Sequence, residues 1–210
     1  MDAIFLDIDG TLWDSTYTVA KAWNKVLETK PNLDLRVTPE RLKQLFGKPL
    51  AEIAANLFPD FPKEMQLQLI DDCCKNEHEL LEQEPGIIFE GVVETIRSLS
   101  CKYPVCIVSN CEAGYIELVT KMLGITDCIT DFECPGYSGL SKGENILRVM
   151  ERNHYKKVVY VGDTQGDYEA CLHADVPFIY CKYGFGTPKD CDISIEKFGD
   201  LLNLDFFSLF

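Results

Sequence analysis

No segment constrains the fold more than the opening of the chain, which reads IFLDIDGTL over residues 4–12. Residues 4–6 form a continuous apolar run, the pattern expected for a strand that is covered on both faces. Gly10 permits the backbone to turn sharply directly afterwards. The pattern therefore predicts that Asp7 lies at the carboxyl end of a buried strand, which is the edge where ligands bind in an open parallel sheet.

Asp7 and Asp9 are two carboxylates separated by one residue, and at such an edge they can take two different chemical roles. The first can bind a divalent cation and attack an electrophile, and the second can hold or remove a proton on a leaving oxygen. A surface turn in which acids cap the backbone would show the same residues. Both interpretations stay open on this segment alone.

Alternating strand and helix patterns follow in the second half of the chain. Apolar runs predict four further strands, at residues 103–108, 127–132, 157–161 and 176–181. Helical patterns occur at residues 92–99, 113–123, 143–152 and 168–174. Strands that alternate with helices imply a parallel sheet with helices on both faces. We therefore expect an α/β fold with a doubly wound, Rossmann-like parallel sheet as its core.

The segment between the first strand and Pro85 has a different sequence pattern, because its apolar residues recur at helical spacing throughout. About four helices are expected there, at residues 21–27, 39–46, 50–58 and 63–84, punctuated by Pro31, Pro49, Pro59 and Pro62. This block predicts an all-helical cap domain, residues 15–85, inserted after the first strand of a catalytic core. The core then comprises residues 1–14 and 86–210.

Polar residues follow two of the predicted strands where each strand ends. Ser109 and Asn110 follow the second strand, and the fourth ends in Gly162-Asp163-Thr164-Gln165-Gly166-Asp167. A hydroxyl and an amide are neutral donors that suit a phosphate oxygen, although small polar residues and acids also cap helices at such positions. The sequence leaves both interpretations open for each pair.

Four carboxylates, those of Asp7, Asp9, Asp163 and Asp167, are expected to converge on one edge of the sheet. Carboxylates so close to one another repel unless a cation sits between them, which indicates Mg²⁺. Lys142 precedes the strand at 157–161, so its ammonium can reach the same edge. It can offset the negative charge there, or it can be an ordinary solvated lysine.

Taken in order, these elements resemble the motifs of the haloacid dehalogenase superfamily of phosphohydrolases, in its phosphoglycolate phosphatase-like branch with a helical cap. The matching motifs are Asp7-Ile8-Asp9-Gly10-Thr11, Ser109-Asn110, Lys142 and Gly162-Asp163-Thr164-Gln165-Gly166-Asp167. The resemblance implies that Asp7 is a nucleophile that forms an aspartyl phosphate. It implies that Asp9 protonates the leaving alcohol and then activates water.

The same resemblance implies how the cofactor and the phosphoryl group are held. Mg²⁺ would be bound by the Asp7 carboxylate, the Asp9 backbone carbonyl and Asp163, with Asp167 binding directly or through water. The transferring phosphoryl group would be held by Gly10, Thr11, Ser109, Asn110 and Lys142.

The expected function is therefore hydrolysis of a small-molecule phosphomonoester by a Mg²⁺-dependent phosphatase. A sugar phosphomutase, which returns the phosphoryl group to a bound sugar, has the same motifs. A non-catalytic regulator that carries a phospho-aspartate is a third alternative, against which the helical insertion argues.

Substrate choice is expected to lie in the cap, because the sheet edge handles only the phosphoryl group. Lys48, in the loop at 47–49 between two predicted helices, can bind an acidic group on the leaving portion, or it can be an exposed turn lysine. Trp13 is expected either to pack at the hinge or to line the entrance. A loop at 183–186 is expected near the same edge.

Charge and cysteine content limit the partners and the compartment. The formal net charge of −14 excludes a nucleic-acid partner on composition, because phosphate-backbone binding needs clustered Lys and Arg. We expect a small phosphorylated metabolite as the partner, with the oligomeric state, monomer or dimer, undetermined. No apolar run approaches the roughly 20 residues that cross a bilayer. The 10 cysteines are expected to be reduced thiols in a cytoplasmic protein.

Overall fold

The main sheet has six parallel strands, and its strand order places the predicted sites at its centre. The computed structural model describes residues 1–30, 33 and 35–209. Its strands are β1 (Ala3–Leu6), β2 (Trp13–Asp14), β3 (Ile87–Ile88), β4 (Val105–Val108), β5 (Ile129–Glu133), β6 (Val158–Gly162), β7 (Phe178–Cys181) and β8 (Ser194–Ile195). Six of them form the main sheet in the order β5-β4-β1-β6-β7-β8, and β2 pairs with β3 in a separate two-stranded sheet. The predicted doubly wound α/β core is confirmed.

Nine α-helices are found in the described part of the chain. They are α1 (Thr16–Leu27), α2 (Pro39–Lys43), α3 (Leu50–Leu57), α4 (Lys63–Leu81), α5 (Val92–Ser100), α6 (Tyr115–Leu123), α7 (Pro135–Ser138), α8 (Lys142–Arg152) and α9 (Gln165–Ala174). Short 3-10 helices cover Thr126–Cys128, Phe198–Asn203 and Phe206–Leu209. None of the helices in these described ranges is both long enough and apolar enough to cross a membrane.

The central strand β1 is buried on both faces, as its apolar run predicts. Ile4 and Leu6 pack into one hydrophobic cluster, and Ala3 and Phe5 pack into another on the opposite face. Successive side chains of a strand point to opposite faces, so each face of the sheet obtains its own core. The second cluster includes Ile146 of α8 and other side chains of α8 and α9.

Four helices, α1 to α4, lie between β2 and β3, as the helical spacing predicts. The two short strands pair antiparallel, with Trp13 opposite Ile88, so the insertion begins and ends at one two-stranded ribbon. A ribbon of two-residue strands was not expected, because it is too short to give a periodic pattern. The division into a core at 1–14 and 86–210 and a cap at 15–85 stays a prediction.

Several helix and strand boundaries in the structure differ from those predicted from the sequence. The first helix begins at Thr16 rather than 21, because the Asp14 carboxylate accepts hydrogen bonds from the backbone and hydroxyl of Thr16. The strand expected from 127 begins at Ile129, after the 3-10 helix Thr126–Cys128. Pro31 lies outside the described residues.

Candidate active site

The Rossmann-like order of the strands creates a switch point between β1 and β6, where the chain changes direction across the sheet. A crevice forms outside the carboxyl ends of the strands at such a point. Asp7 follows β1, and Asp163 follows β6. Gly10 has a φ of 85°, and a Cβ at this position would lie 2.2 Å from Asp163 Oδ2. Only glycine therefore permits the turn after β1 to approach Asp163 so closely.

Asp7 is almost completely buried, with 1% of its surface exposed. Its Oδ1 accepts a hydrogen bond from Lys142 Nζ at 2.8 Å. Burial raises the pKa of Asp7 to about 6, although Lys142 and the Ser109 hydroxyl both lower it. The structure thus places Asp7, Lys142 and Ser109 together, as the resemblance implies.

Lys142 is a buried lysine, 4% exposed, and not the solvated residue that its type usually is. It begins α8, whose N-terminus is fixed by a capping box between Ser141 and Glu144. Besides Asp7, its Nζ donates to Asp167 Oδ1 at 2.5 Å. Burial opposes the charge of Lys142, but Asp167 and Asp7 together hold its pKa well above the usual value.

Asp167 has two different sets of partners on its two carboxylate oxygens. Oδ2 accepts hydrogen bonds from the Thr164 backbone N–H, the Thr164 hydroxyl and, at 3.2 Å, the Asp163 N–H. The bond from the Thr164 N–H, together with the bond from the Asp167 N–H to Thr164 Oγ1, forms the capping box at the start of α9, so this oxygen caps the helix. Oδ1 faces Lys142, so Asp167 serves both the helix and the site.

Three buried carboxylates, those of Asp7, Asp163 and Asp167, have ligand atoms within 4.8 Å of one another. Burial, Asp167 and Asp7 raise the pKa of Asp163 well above its usual value. When all three carboxyl groups are ionised, Lys142 supplies one positive charge against three negative charges, and a divalent cation would balance the excess. Oxygen ligands of this kind and number suit Mg²⁺, which the residues therefore fit.

Asp9 lies beside this cluster, with its side chain held by a different set of donors. Its Oδ1 accepts hydrogen bonds from Trp13 Nε1 at 3.1 Å, Ser15 Oγ at 2.6 Å and Tyr115 OH at 2.9 Å. Burial raises the pKa of Asp9 to about 7, with a further contribution from Asp7. A carboxyl group with this pKa can give and accept a proton near neutrality. Ser15 and Tyr115 had no signal in the sequence.

The other predicted site residues, Thr11, Asn110 and Trp13, each contact a different part of the site. Thr11 Oγ1 donates to Asp163 Oδ1 at 3.4 Å. Asn110 Nδ2 donates to the Gly47 carbonyl at 2.7 Å, so its amide joins the sheet edge to the insertion. Trp13 is fully buried and does not line the entrance, because it belongs to the ribbon and donates to Asp9.

The loop at 183–186 closes the other side of the site. Tyr183 OH donates to the Thr11 carbonyl at 2.8 Å, and the Phe185 backbone N–H donates to Asp163 Oδ2 at 2.6 Å. A Cβ on Gly184 would lie 2.3 Å from Asp163 Cβ. The loop therefore holds the Asp163 side chain in place.

Two spaces adjoin the site. An inner cavity of about 30 Å³ is lined by residues that include Asp7, Asp9, Glu77, Ser109, Glu112 and Tyr115. An outer cleft of about 970 Å³ is lined by residues that include Lys43, Lys48, Glu52, Lys142, Gln165 and Phe185. Lys48 lies in the outer cleft and pairs with Glu52, one turn along α3. Its role as a substrate contact stays a prediction.

Glu77 and Glu112 are site residues that the sequence did not reveal. Glu77 lies within α4, where its neighbours are mostly polar and charged, and Glu112 precedes α6. In sequence, acids in such positions look like solvated surface. The packing of α4 against α1, where Trp23 Nε1 donates to Glu77, brings Glu77 into the lining of the inner cavity.

The family model described as haloacid dehalogenase-like hydrolase matches residues 4–181. No curated protein sequence matches the chain. Among solved structures, a haloacid dehalogenase-like hydrolase from Streptococcus pneumoniae is similar, with 19% identity, a TM-score of 0.80 and 97% of each chain covered.

Two further structures have the same fold. A protein from Haemophilus somnus described as a predicted phosphoglycolate phosphatase has 18% identity, a TM-score of 0.80 and 97% coverage of each chain. A β-phosphoglucomutase from Clostridium difficile has 15% identity and a TM-score of 0.76, over 96% of this chain and 93% of the other. At such identities the likeness shows the fold.

Proposed function

The chain belongs to the haloacid dehalogenase-like hydrolases, and on that basis we propose that it is a Mg²⁺-dependent phosphatase of small phosphomonoesters. The observation that carries the proposal is the pairing of Asp7 with Asp9 beside one cavity. Asp7 is buried against Lys142 and the acidic cluster, whereas Asp9 is held by three neutral donors at Oδ1. Two neighbouring carboxyl groups in such different surroundings suit two different roles.

Asp7 attacks the phosphorus atom through a carboxylate oxygen, the bond to the ester oxygen breaks, and an aspartyl phosphate forms. Asp9 gives its proton to the departing alkoxide. In the second step Asp9 takes a proton from water, whose oxygen attacks phosphorus and releases Asp7. The pKa of about 7 at Asp9 supports both proton transfers.

Lys142 and Ser109 have a positioning and charge-stabilising role. Both lie against Asp7, and the ammonium compensates the negative charge that the phosphoryl group brings. Asp7, Asp163 and Asp167 would hold Mg²⁺. When bound, the ion supplies positive charge to the phosphoryl oxygens and screens Asp7 from them.

The test is phosphate release from a panel of phosphomonoesters, with and without Mg²⁺. Asp7→Asn, which is nearly isosteric, is the blank. We expect release by the wild-type protein that needs Mg²⁺ and is abolished in the blank. Equal release by a pure Asp7→Asn protein would contradict the role of Asp7.

The same samples separate the two alternatives. A phosphomutase would convert a sugar phosphate to its isomer and release little phosphate. A regulator would keep a phosphoryl group on Asp7, visible by intact-protein mass spectrometry, without turnover.

A further inference from the structure

Asp7 and Asp9 line the inner cavity, which therefore offers space for the alcohol portion of a phosphomonoester whose ester oxygen faces Asp9. The other side chains that line this cavity would then contact the leaving group. This step rests on the proposed phosphatase function. The lining includes two further carboxyl groups, those of Glu77 from α4 and Glu112 from the loop before α6.

Glu77 is a buried carboxyl group without a cationic partner. Only 5% of its surface is exposed, and Oε2 accepts a hydrogen bond from Trp23 Nε1 at 2.7 Å. In the described part of the chain, no ion pair joins Glu77 to a Lys, Arg or His. Burial, followed by the charge of Glu112, raises its pKa well above the ordinary value of 4.5. A buried carboxylate is costly unless a cation or donors compensate it.

Glu112 lies close enough to Glu77 for one small cation to contact both. Ligand atoms of Glu77, Glu112 and Cys74 are within 4.8 Å of one another. Glu112 Oε1 also lies 2.7 Å from His78 Nε2. Both carboxyl groups line the cavity, and His78 is a basic neighbour of Glu112.

The rest of the cavity wall adds aromatic rings and no basic side chain. Trp23, Phe46 and Tyr115 line it, and none of the described residues that line it is Lys or Arg. Ammonium groups are favoured beside both carboxylates and aromatic rings. A carboxylate or second phosphate on the leaving group would instead lie beside Glu77 and Glu112, with no Lys or Arg among the described residues that line the cavity.

We propose that the substrate is the phosphomonoester of a small amino alcohol, whose ammonium group binds between Glu77 and Glu112. The ammonium gives Glu77 a positively charged neighbour beside its one hydrogen bond from Trp23 Nε1, and it adds to His78 at Glu112. A neutral alcohol of the same size supplies donors without the charge, so it is the poorer substrate. An acidic alcohol is the poorest.

Three esters of matched size test this order, namely aminoethyl, hydroxyethyl and carboxymethyl phosphate, which differ in the charge at the far end. We expect kcat/KM for the aminoethyl ester to exceed that for the hydroxyethyl ester at least about tenfold, the effect of one charge-assisted hydrogen bond. The carboxymethyl ester should be slower again. The series is repeated with esters that are one methylene longer. The three end groups are then compared at the chain length that gives the higher kcat/KM.

Glu77→Gln removes the group that can ionise beside the ammonium and keeps an oxygen that can accept from Trp23 Nε1. The ratio of kcat/KM for the aminoethyl ester to that for the hydroxyethyl ester should fall about tenfold in this variant. Glu79→Gln, an exposed position two residues along α4, is the matched control and should change nothing. Glu112→Gln is the second variant if Glu77→Gln does not fold.

Affinity gives a readout that does not need turnover. In aminopropyl-, hydroxypropyl- and carboxyethylphosphonate a methylene replaces the ester oxygen, and their dissociation constants can be measured by calorimetry in the presence of Mg²⁺. The same order is expected for the wild type, with the amino compound losing its advantage in Glu77→Gln. These affinities test the proposed ammonium site even if no ester is hydrolysed. If the affinity order holds and no ester is hydrolysed, only the proposed phosphatase function is contradicted.

Three results would overturn the inference. One is equal or better use of the hydroxyethyl or carboxymethyl ester, together with hydrolysis of the aryl phosphate, which would leave the phosphatase function standing. Another is an unchanged preference for the amino ester in Glu77→Gln. The third is tight Zn²⁺ binding that Glu77→Gln abolishes, without any preference among the three phosphonates, which would assign Cys74, Glu77 and Glu112 to a metal.

Discussion

The side-chain amide of Asn110 donates a hydrogen bond to the backbone carbonyl of Gly47, with 2.7 Å between the two atoms. Asn110 follows a strand of the main sheet, and Gly47 lies between α2 and α3. Phe46, Gly47 and Asn110 line both the inner cavity and the outer cleft, so this hydrogen bond crosses the boundary between the two spaces.

Asn110→Ala removes the donor and should loosen the loop around Gly47. The loop should lose about 1 kcal/mol of local stability, which corresponds to roughly fivefold faster hydrogen exchange at the Lys48 backbone amide. Hydrogen exchange followed by mass spectrometry measures it. Asn56→Ala, which removes an exposed amide that bonds within α3, is the control. Unchanged exchange in Asn110→Ala would show that other contacts hold the loop.

Lys142→Met should destabilise the protein in the absence of divalent ions, because it leaves Asp7 and Asp167 buried without their cation. Breaking a buried pair in this way costs about 3–5 kcal/mol, measurable by urea unfolding in EDTA. Added Mg²⁺ should restore part of the loss, since it binds the folded state. Turnover should fall roughly 100-fold or more.

Lys121→Met, at an exposed lysine of α6, is the matched control for stability and turnover. A Lys142→Met protein that is as stable as the wild type in EDTA would contradict the buried charge cluster as described.

Tyr115→Phe removes one of the three donors that hold Asp9 Oδ1. If Asp9 protonates the leaving oxygen, hydrolysis of alkyl phosphates should slow about tenfold, because an alkoxide needs that proton. Hydrolysis of a nitrophenyl phosphate, whose leaving group departs without a proton, should change much less. Tyr17→Phe, at an exposed tyrosine of α1, serves as the control. Equal slowing of both ester types would indicate a purely structural role.

Glu77→Gln should raise the melting temperature at neutral pH. The pKa of Glu77 in the fold lies above its ordinary value of 4.5, so the folded state retains a proton that the unfolded state has lost. Stability therefore falls as the pH rises from 4.5 through the folded-state pKa. Gln does not titrate, so its stability does not fall in this way. The variant should gain on the order of 1 kcal/mol in the free energy of unfolding, which raises the melting temperature by roughly 2–4 °C.

Melting curves at pH 4 and pH 7 measure this difference. The gain of Glu77→Gln should be largest at pH 7 and should shrink at pH 4, where Glu77 is protonated in both states. A gain that is the same at both pH values would show that packing and not charge determines it.

The sequence permits prediction of the parts of the site that lie at strand ends. Asp7 and Asp163 each follow a continuous apolar run, and the topology of a parallel sheet brings such positions together. The structure places Asp167 and Lys142 beside them, and the roles of these four residues stay predictions. The family model confirms the resemblance on which the remaining roles depend.

The parts that the sequence did not reveal depend on tertiary packing. Glu77 lies within a polar helix, and its burial is decided by how α4 packs on its neighbours and not by local periodicity. Tyr115 reaches Asp9 across 106 positions of sequence. Asn110 and Ser109 are adjacent, yet one bonds the insertion and the other lies against Asp7, a difference that depends on side-chain direction.

The two oxygens of Asp167 link the integrity of a helix to the competence of the site. Because Oδ2 starts α9 and Oδ1 meets Lys142, fraying at the first turn of α9 also releases the carboxylate that Lys142 holds. A substitution that frays this turn is therefore expected to lower turnover before the protein as a whole unfolds. An activity assay on such variants is in effect a local probe of helix fraying.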